Sequence, residues 1–180
     1  QIITGFMMKK ALTEELPFRD SIQKIDSFLN EKQSSNISEF SKEFDSVESA
    51  KKLGLYLFNE SLIAFGQDLK NEHQIMEMLA DIFTDIYTAE SAIIRTKKIM
   101  DSDNPIPTSK DISIVFISEM VSRVITKTHS ILNTLYDGPA SEDIISKVSK
   151  FEKRMRLSVN TVQLKRNIAE YVFEQKKYPY

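Results

Sequence analysis

The chain has 180 residues, of which 41% are hydrophobic and 28% charged, a balance that excludes a disordered or fibrous protein. Its formal net charge of −2 argues against nucleic-acid binding, which depends on many contacts from Lys and Arg to phosphates. Because it contains no cysteine, disulfides, thiolate catalysis and Cys-based zinc sites are excluded. Only four Gly and five Pro are present, which favours long helices over tight turns.

Two short helices are predicted at the start of the chain. The first covers Ile2 to Leu16 and ends before Pro17, because proline lacks an N–H and disfavours helical geometry in the preceding residue. The second follows at once, and its apolar residues recur at helical spacing: Phe18, Ile22, Ile25, Phe28 and Leu29. We assign residues 1–44 to N-terminal linker helices and residues 45–180 to a helical bundle.

Four long helices are predicted in the bundle. Asp45 is expected to cap the first of them, with Glu48 as its capping-box partner. The second runs from about Asn71 to Met100, and the third from Thr108 or Ser109 to Leu135. Ser141 is expected to cap the last helix, whose inward residues would be Ile144, Val148, Phe151, Met155, Val159 and Val162. Four long helices with short links predict an all-α, antiparallel up-and-down bundle.

One row of side chains has the composition of half a metal site. It comprises His73, Glu77, Asp81 and Asp85, which lie four residues apart on one predicted helix face. The sequence offers no matching row on another helix, so we favour a solvated face or interhelical salt bridges. His129 has no nucleophile context and is interpreted as a helix-surface residue. We therefore predict no catalytic, cofactor-binding or metal-binding residue.

The charge is unevenly distributed along the chain. Residues 144–180 carry nine Lys or Arg against three Asp or Glu, a net of +6, and the preceding residues carry a net of −8. We predict a membrane-docking or partner-docking surface formed by the basic residues Lys147, Lys150, Lys153, Arg154 and Arg156. The alternative is a solvated outer face of a bundle helix whose apolar residues belong to the core.

The first predicted helix is unusually apolar for a surface element. We predict an assembly face, packed on the bundle or in a dimer seam, formed by Ile2, Ile3, Phe6, Met7 and Met8. The alternative is an ordinary contribution of these side chains to the core of one monomer.

Two segments resemble acyl-CoA dehydrogenases. The segment Ile2 to Leu12, followed by Leu16-Pro17, resembles the stretch after the catalytic core of these enzymes, where a Gly, two long apolar residues, Lys-Lys-Ala and Leu-Pro recur. Asn71 to Arg95 resembles a helix in the extra C-terminal domain of the very-long-chain branch. The two segments occur in the expected order.

This resemblance implies a parent enzyme that uses FAD to oxidise an acyl-CoA to the 2-enoyl-CoA, with the catalytic glutamate and the flavin-contacting residues upstream of Gln1. The chain itself would be a non-catalytic accessory domain whose partners are its own catalytic core, a second copy and the surface of a membrane. Its opening with Gln1 rather than Met fits this expectation, and we expect a cytoplasmic location. The alternative is a stand-alone helical scaffold or adaptor unrelated to fatty-acid metabolism.

Overall fold

The computed structural model describes residues 2–13, 15, 17–31, 40–136 and 140–176, and within them the chain forms eight α-helices and one 3₁₀ helix with no strand. In chain order these are α1 (Ile2–Leu12), α2 (Phe18–Gln23), α3 (Ile25–Asn30), α4 (Ser41–Phe65), the 3₁₀ helix (Gly66–Asn71), α5 (His73–Met100), α6 (Ser109–Leu135), α7 (Glu142–Met155) and α8 (Thr161–Gln175). The predicted all-α class is confirmed.

Helices α5 and α6 run antiparallel, as charged pairs along their seam show. Asp85 binds Arg123, with Oδ1 2.9 Å from Nη2, and Asp81 Oδ2 lies 3.1 Å from Lys127 Nζ. The residue earlier in α5 thus pairs with the one later in α6, as antiparallel neighbours require. Helix α4 packs on both helices and on α7.

The core lies between α4, α5, α6 and α7. Each helix supplies an apolar stripe at three- and four-residue spacing, the pattern of an amphipathic helix that buries one face. Fully or almost fully buried residues of these stripes include Leu53, Leu57, Phe58, Ile75, Leu79, Ile82, Ile93, Ile117, Met120, Ile131, Phe151 and Met155.

The N-terminal helices add to the same core. The hydroxyl of Thr4 in α1 is buried and donates a hydrogen bond to the carbonyl of Met76 in α5, at 3.2 Å. Helix α2 packs on α4 through an edge-to-face contact of Phe18 with Phe58, whose ring centroids are 5.5 Å apart. The division of the chain after residue 44 stays a prediction.

The start of α4 differs from the prediction. The helix begins at Ser41, so Asp45 lies inside it and does not cap it. Phe40 precedes the helix in the left-handed region, with φ of 64°, and only 3% of it is exposed. Because the Phe40 ring is buried, α4 begins about one turn before the position that the capping signal indicates. Glu48, the expected capping partner, instead lies 3.6 Å from Lys51 Nζ.

The last predicted helix is divided into α7 and α8 by residues 156–160. Ser141 caps α7 as predicted, because its side chain accepts a hydrogen bond from a first-turn amide, and Asn160 caps α8 in the same way. The expectation that Val159 and Val162 point inward was wrong, since they are 39% and 59% exposed. The break moves the chain from α4, on which α7 packs, to α6, on which α8 packs.

Candidate functional site

Helix α7 has one apolar side, which is completely used by the core. Val148, Phe151 and Met155 are at most 3% exposed. The ring centroid of Phe151 lies 6.4 Å from those of both Tyr56 and Phe28. These contacts fix the orientation of α7, so its basic residues occupy defined positions around the outside of the bundle.

Two of the five predicted docking residues, Lys147 and Arg154, contact the neighbouring helix α3. Lys147 Nζ lies 3.3 Å from Asp26 Oδ1 and 3.2 Å from Asp143 Oδ2. Burial lowers the pKa of Lys147, but the hydrogen bonds and negative charges of Asp143 and Asp26 together outweigh that effect, so the pKa is raised. The Arg154 guanidinium lies 4.3 Å from the ring centroid of Phe28.

The other three predicted docking residues are available to a ligand or surface. Lys150, Lys153 and Arg156 are exposed, and none forms an ion pair within the part of the chain that the structure describes. A docking role for the whole predicted set stays a prediction.

Lys153 and Arg156 meet a further cation in a surface cleft at the end of α7. This cleft, called the cationic cleft below, encloses about 510 Å³ and is lined by Lys42, Asp45, Lys153, Arg154, Arg156, Leu157 and Ser158. Lys42 belongs to the first turn of α4 and is exposed. The sequence analysis missed it, because only tertiary packing brings this part of α4 to the end of α7.

A second cleft lies on α6 beside the same link between α7 and α8. It encloses about 560 Å³, and its lining is mixed, with hydroxyl and apolar side chains: Ser118, Val121, Ser122, Ile125, Arg156, Leu157, Ser158, Val159 and Thr161. Ser118 Oγ is buried and has no hydrogen-bond partner among the described residues. The three residues Arg156, Leu157 and Ser158 line both clefts.

The predicted assembly face on α1 is divided between surface and core. Ile3 and Phe6 are 45% and 60% exposed, whereas Met8 is only 7% exposed and packs in the core. Met7 is half-buried against that core, and the side chain of Ile2 lies outside the described residues. Met8 therefore contributes to the core of the monomer, and an assembly role for the exposed residues of α1 stays a prediction.

Helix α8 exposes two large apolar side chains, Val162 and Phe173. None of its residues is fully buried, and Val162 and Phe173 are 59% and 79% exposed. They lie about three helical turns apart, on the same side of the helix. No helix in the described ranges is both long and apolar enough to cross a membrane.

Two members of the carboxylate row on α5 form interhelical salt bridges, one of the two interpretations favoured from the sequence, and Glu77 is exposed. Asp81 and Asp85 pair with Lys127 and Arg123 of α6. His129 Nε2 lies 2.7 Å from Glu152 Oε1 and links α6 to α7. Over the described ranges, no three or more His, Cys, Asp or Glu residues are grouped so that they could hold a metal.

These features define an α-helical domain. Among the residues that the structure describes, charged side chains join neighbouring helices in ion pairs or line surface clefts. Residues 49–150, more than half of the chain, match the family described as "Acyl-CoA dehydrogenase, C-terminal domain". The chain belongs to this family.

Two relatives extend the similarity over nearly the whole chain. A probable acyl-CoA dehydrogenase of Bacillus subtilis (strain 168) is 25% identical over 183 residues, which cover 98% of this chain and 30% of the relative. The crystal structure of an acyl-CoA dehydrogenase complexed with FAD from Bacillus anthracis has the same fold, with a TM-score of 0.86 and 24% identity, over 99% of this chain and 31% of that one. The chain thus spans about a third of the length of these relatives.

Neither cleft fits the ring system of a flavin. No aromatic side chain lines either of them, and Leu157 is the one apolar residue in the lining of the cationic cleft. A planar, largely apolar ring needs a pocket walled mainly by apolar and aromatic side chains. We therefore assign no flavin contact to the residues of these clefts.

Proposed function

We propose that this chain is the non-catalytic C-terminal domain of a flavin-dependent acyl-CoA dehydrogenase, and that the parent enzyme oxidises an acyl-CoA to the 2-enoyl-CoA. The match of residues 49–150 to the family carries this proposal, and it favours the dehydrogenase over a stand-alone scaffold. Because the relatives are about three times longer, the proposed principal partner is the catalytic core of the same enzyme, which would hold the FAD.

The test is to purify the product of the complete gene and to measure its flavin absorbance and its acyl-CoA-dependent reduction of an electron acceptor. We expect bound flavin and turnover, with the highest kcat/KM for long acyl chains if the parent belongs to the very-long-chain branch. A product that lacks flavin and does not oxidise any acyl-CoA would contradict the proposal. A preference for short chains would remove only the assignment to that branch.

The proposed structural role is to help to assemble the enzyme through the outer side of α1. Exposed apolar residues such as Ile3 and Phe6 support it, because apolar surface that remains in water is commonly buried against a partner. We propose that this partner is the catalytic core or a second copy in a homodimer.

Sedimentation velocity of Phe6→Asp tests this role. We expect the variant to weaken assembly, because a carboxylate in an apolar seam loses its hydration. Ile63→Asp is the matched control, since Ile63 is 72% exposed on α4. An unchanged sedimentation coefficient for Phe6→Asp, or an equal effect of both variants, would contradict the assembly role.

A second proposed role is peripheral docking of a cytoplasmic enzyme on an anionic membrane. The exposed cations Lys150, Lys153 and Arg156 support it, because each Lys or Arg close to such a surface contributes about 1 kcal/mol. The apolar side of α7 is buried in the core, so it is not available for insertion between lipids. We therefore expect purely electrostatic binding that salt weakens.

Liposome sedimentation tests membrane docking. We expect the variant Lys150→Glu/Lys153→Glu to lose binding to vesicles that contain phosphatidylglycerol, and the wild type to lose it at high salt. The control is Lys98→Glu, an equally exposed lysine at the end of α5. Membrane docking would be contradicted if the wild-type protein did not sediment with vesicles, or if the double variant still did.

A further inference from the structure

The cationic cleft concentrates positive charge in a chain whose net charge is negative. It is lined by four cations, Lys42, Lys153, Arg154 and Arg156, and by the single carboxylate of Asp45. Some basic residues elsewhere pair with carboxylates, for example Lys51 with Glu90 and Lys165 with Glu119, both at 2.6 Å. The cleft instead brings four cations together around one carboxylate.

Three of these cations have no protein counter-ion within the described part of the chain. Lys42, Lys153 and Arg156 form no ion pair there, and Asp45 lies in the same cleft without reaching any of them. Like charges that converge on one concavity repel each other unless an anion screens them. The arrangement is therefore complementary to a multivalent anion.

The position of Lys42 is unfavourable for α4 itself. Lys42 lies in the first turn of this 25-residue helix, at the positive end of the helix dipole, where a carboxylate is preferred. Lys153 and Arg154, by contrast, lie in the last turn of α7, where a cation stabilises the helix. Helix stability explains the two residues of α7 but does not explain Lys42.

Arg154 gives the cleft a fixed donor. Its Nη1 donates a hydrogen bond of 2.7 Å to the carbonyl of Glu31, and its guanidinium stacks on Phe28. One guanidinium is thus held in place at the wall of the cleft, while three exposed side chains surround the space in front of it. A planar, oriented guanidinium surrounded by two lysine ammonium groups and a second guanidinium is a combination suited to phosphate oxygens.

From this convergence we propose that the cationic cleft binds a phosphate-bearing anion, with Lys42, Lys153 and Arg156 as direct cations and Arg154 as the oriented donor. The phosphate is carried by a small soluble molecule or by the headgroup of a lipid. The site overlaps the docking face proposed above at Lys153 and Arg156, but it also requires Lys42 of α4 and does not include Lys150 of α7.

The experiment is calorimetric titration of the 180-residue chain with pyrophosphate. We expect saturable binding of one pyrophosphate, and at least about tenfold weaker binding by Lys42→Glu and by Arg156→Gln, because each removes a charge-assisted contact. Lys98→Glu is the matched control, since it removes an exposed cation that does not line the cleft, and the affinity of this variant for pyrophosphate should equal that of the wild type. Circular dichroism confirms that each variant is folded.

The absence of saturable pyrophosphate binding by the wild type would overturn the site. So would equal weakening by Lys98→Glu, which would show general attraction to positive charge, or unchanged affinity in both cleft variants. Flotation with phosphatidic acid vesicles then distinguishes the source of the phosphate. Vesicle binding that Lys42→Glu abolishes supports a lipid headgroup, and vesicle binding that it leaves intact supports a soluble phosphate compound.

Discussion

The seam between α5 and α6 and the outer segment formed by α7 and α8 use the same residue types differently. At the seam, charged side chains such as Asp85 and Arg123 pair with each other, and Ile82 and Ile117 beside them are completely buried. Helix α8, in contrast, buries no residue, and α7 places cations around a cleft. The seam and the buried side of α7 therefore contribute to stability, while the outer side of α7 and helix α8 remain exposed.

The largest expected effect is a difference in stability between variants of two phenylalanines, one in α7 and one in α8. Phe151 is fully buried, and we expect Phe151→Ala to lower the free energy of unfolding by about 3–5 kcal/mol through the cavity that it leaves. Phe173 is 79% exposed, and Phe173→Ala should change that free energy by less than about 0.5 kcal/mol. Urea denaturation measures both. Similar losses in the two variants would show that α8 belongs to the stabilising core.

A second contrast concerns close packing at a glycine of α4. A Cβ added to Gly54 would lie 3.1 Å from Cε1 of Phe83 and 3.4 Å from Cγ2 of Ile82. We expect Gly54→Leu to lower the free energy of unfolding by about 1–3 kcal/mol through overpacking. In α1 a Cβ added to Gly5 would have no atom within 4 Å, so Gly5→Leu should be neutral or stabilising. Thermal unfolding that ranks the two variants in the opposite order would contradict the α4–α5 packing.

A third test concerns a pair of buried hydroxyl groups between the end of α5 and the start of α6. Thr96 Oγ1 and Ser113 Oγ are 2.5 Å apart, and both residues are buried. Thr96→Val should cost about 1–3 kcal/mol of unfolding free energy, because it leaves the Ser113 hydroxyl with only a long contact, 3.4 Å, to the carbonyl of Ala92. The double variant with Ser113→Ala should cost less than the sum of the two single changes. Strictly additive costs would show that the hydroxyls do not interact.

The smallest expected effect is a dependence of stability on alkaline pH. Burial, together with a hydrogen bond from its hydroxyl to Glu60, raises the pKa of Tyr136 from the usual 10.0 to about 12. The neutral phenol is therefore favoured in the folded state, and its contribution to stability is complete below pH 10 and lost as the pH rises through about 12. Tyr136→Phe should reduce this alkaline loss in denaturation curves recorded at several pH values. An identical loss in the variant would contradict the assignment.

The sequence alone predicted the helices whose apolar periodicity is long and uninterrupted. Helix α5 ends at Met100 and α6 ends at Leu135, as expected, because Asp, Asn and Pro follow the first in the sequence and Asp137-Gly138-Pro139 follows the second. The start of α4 was misplaced, because a buried Phe40 outweighs the capping signal of Asp45. Tertiary packing overrode local preference there.

The break between α7 and α8 and the cationic cleft could not be predicted from local pattern. Residues 156–160 contain neither Gly nor Pro, so they carry no strong breaker signal, and the apolar period continues through Val159 and Val162. Lys42 reaches the cleft only because α4 and α7 pack together. In contrast, the basic character of α7 was visible in the sequence, since it depends on composition alone.

The proposed role of this domain is to support chemistry that the catalytic core carries out. To test it, the isolated 180-residue chain is mixed with FAD, a long-chain acyl-CoA and an electron acceptor, and the same assay is run with the product of the complete gene. We expect no flavin retention and no turnover by the isolated chain, but both by the complete product. Retention of FAD with acyl-CoA-dependent reduction of the acceptor by the isolated chain would contradict it.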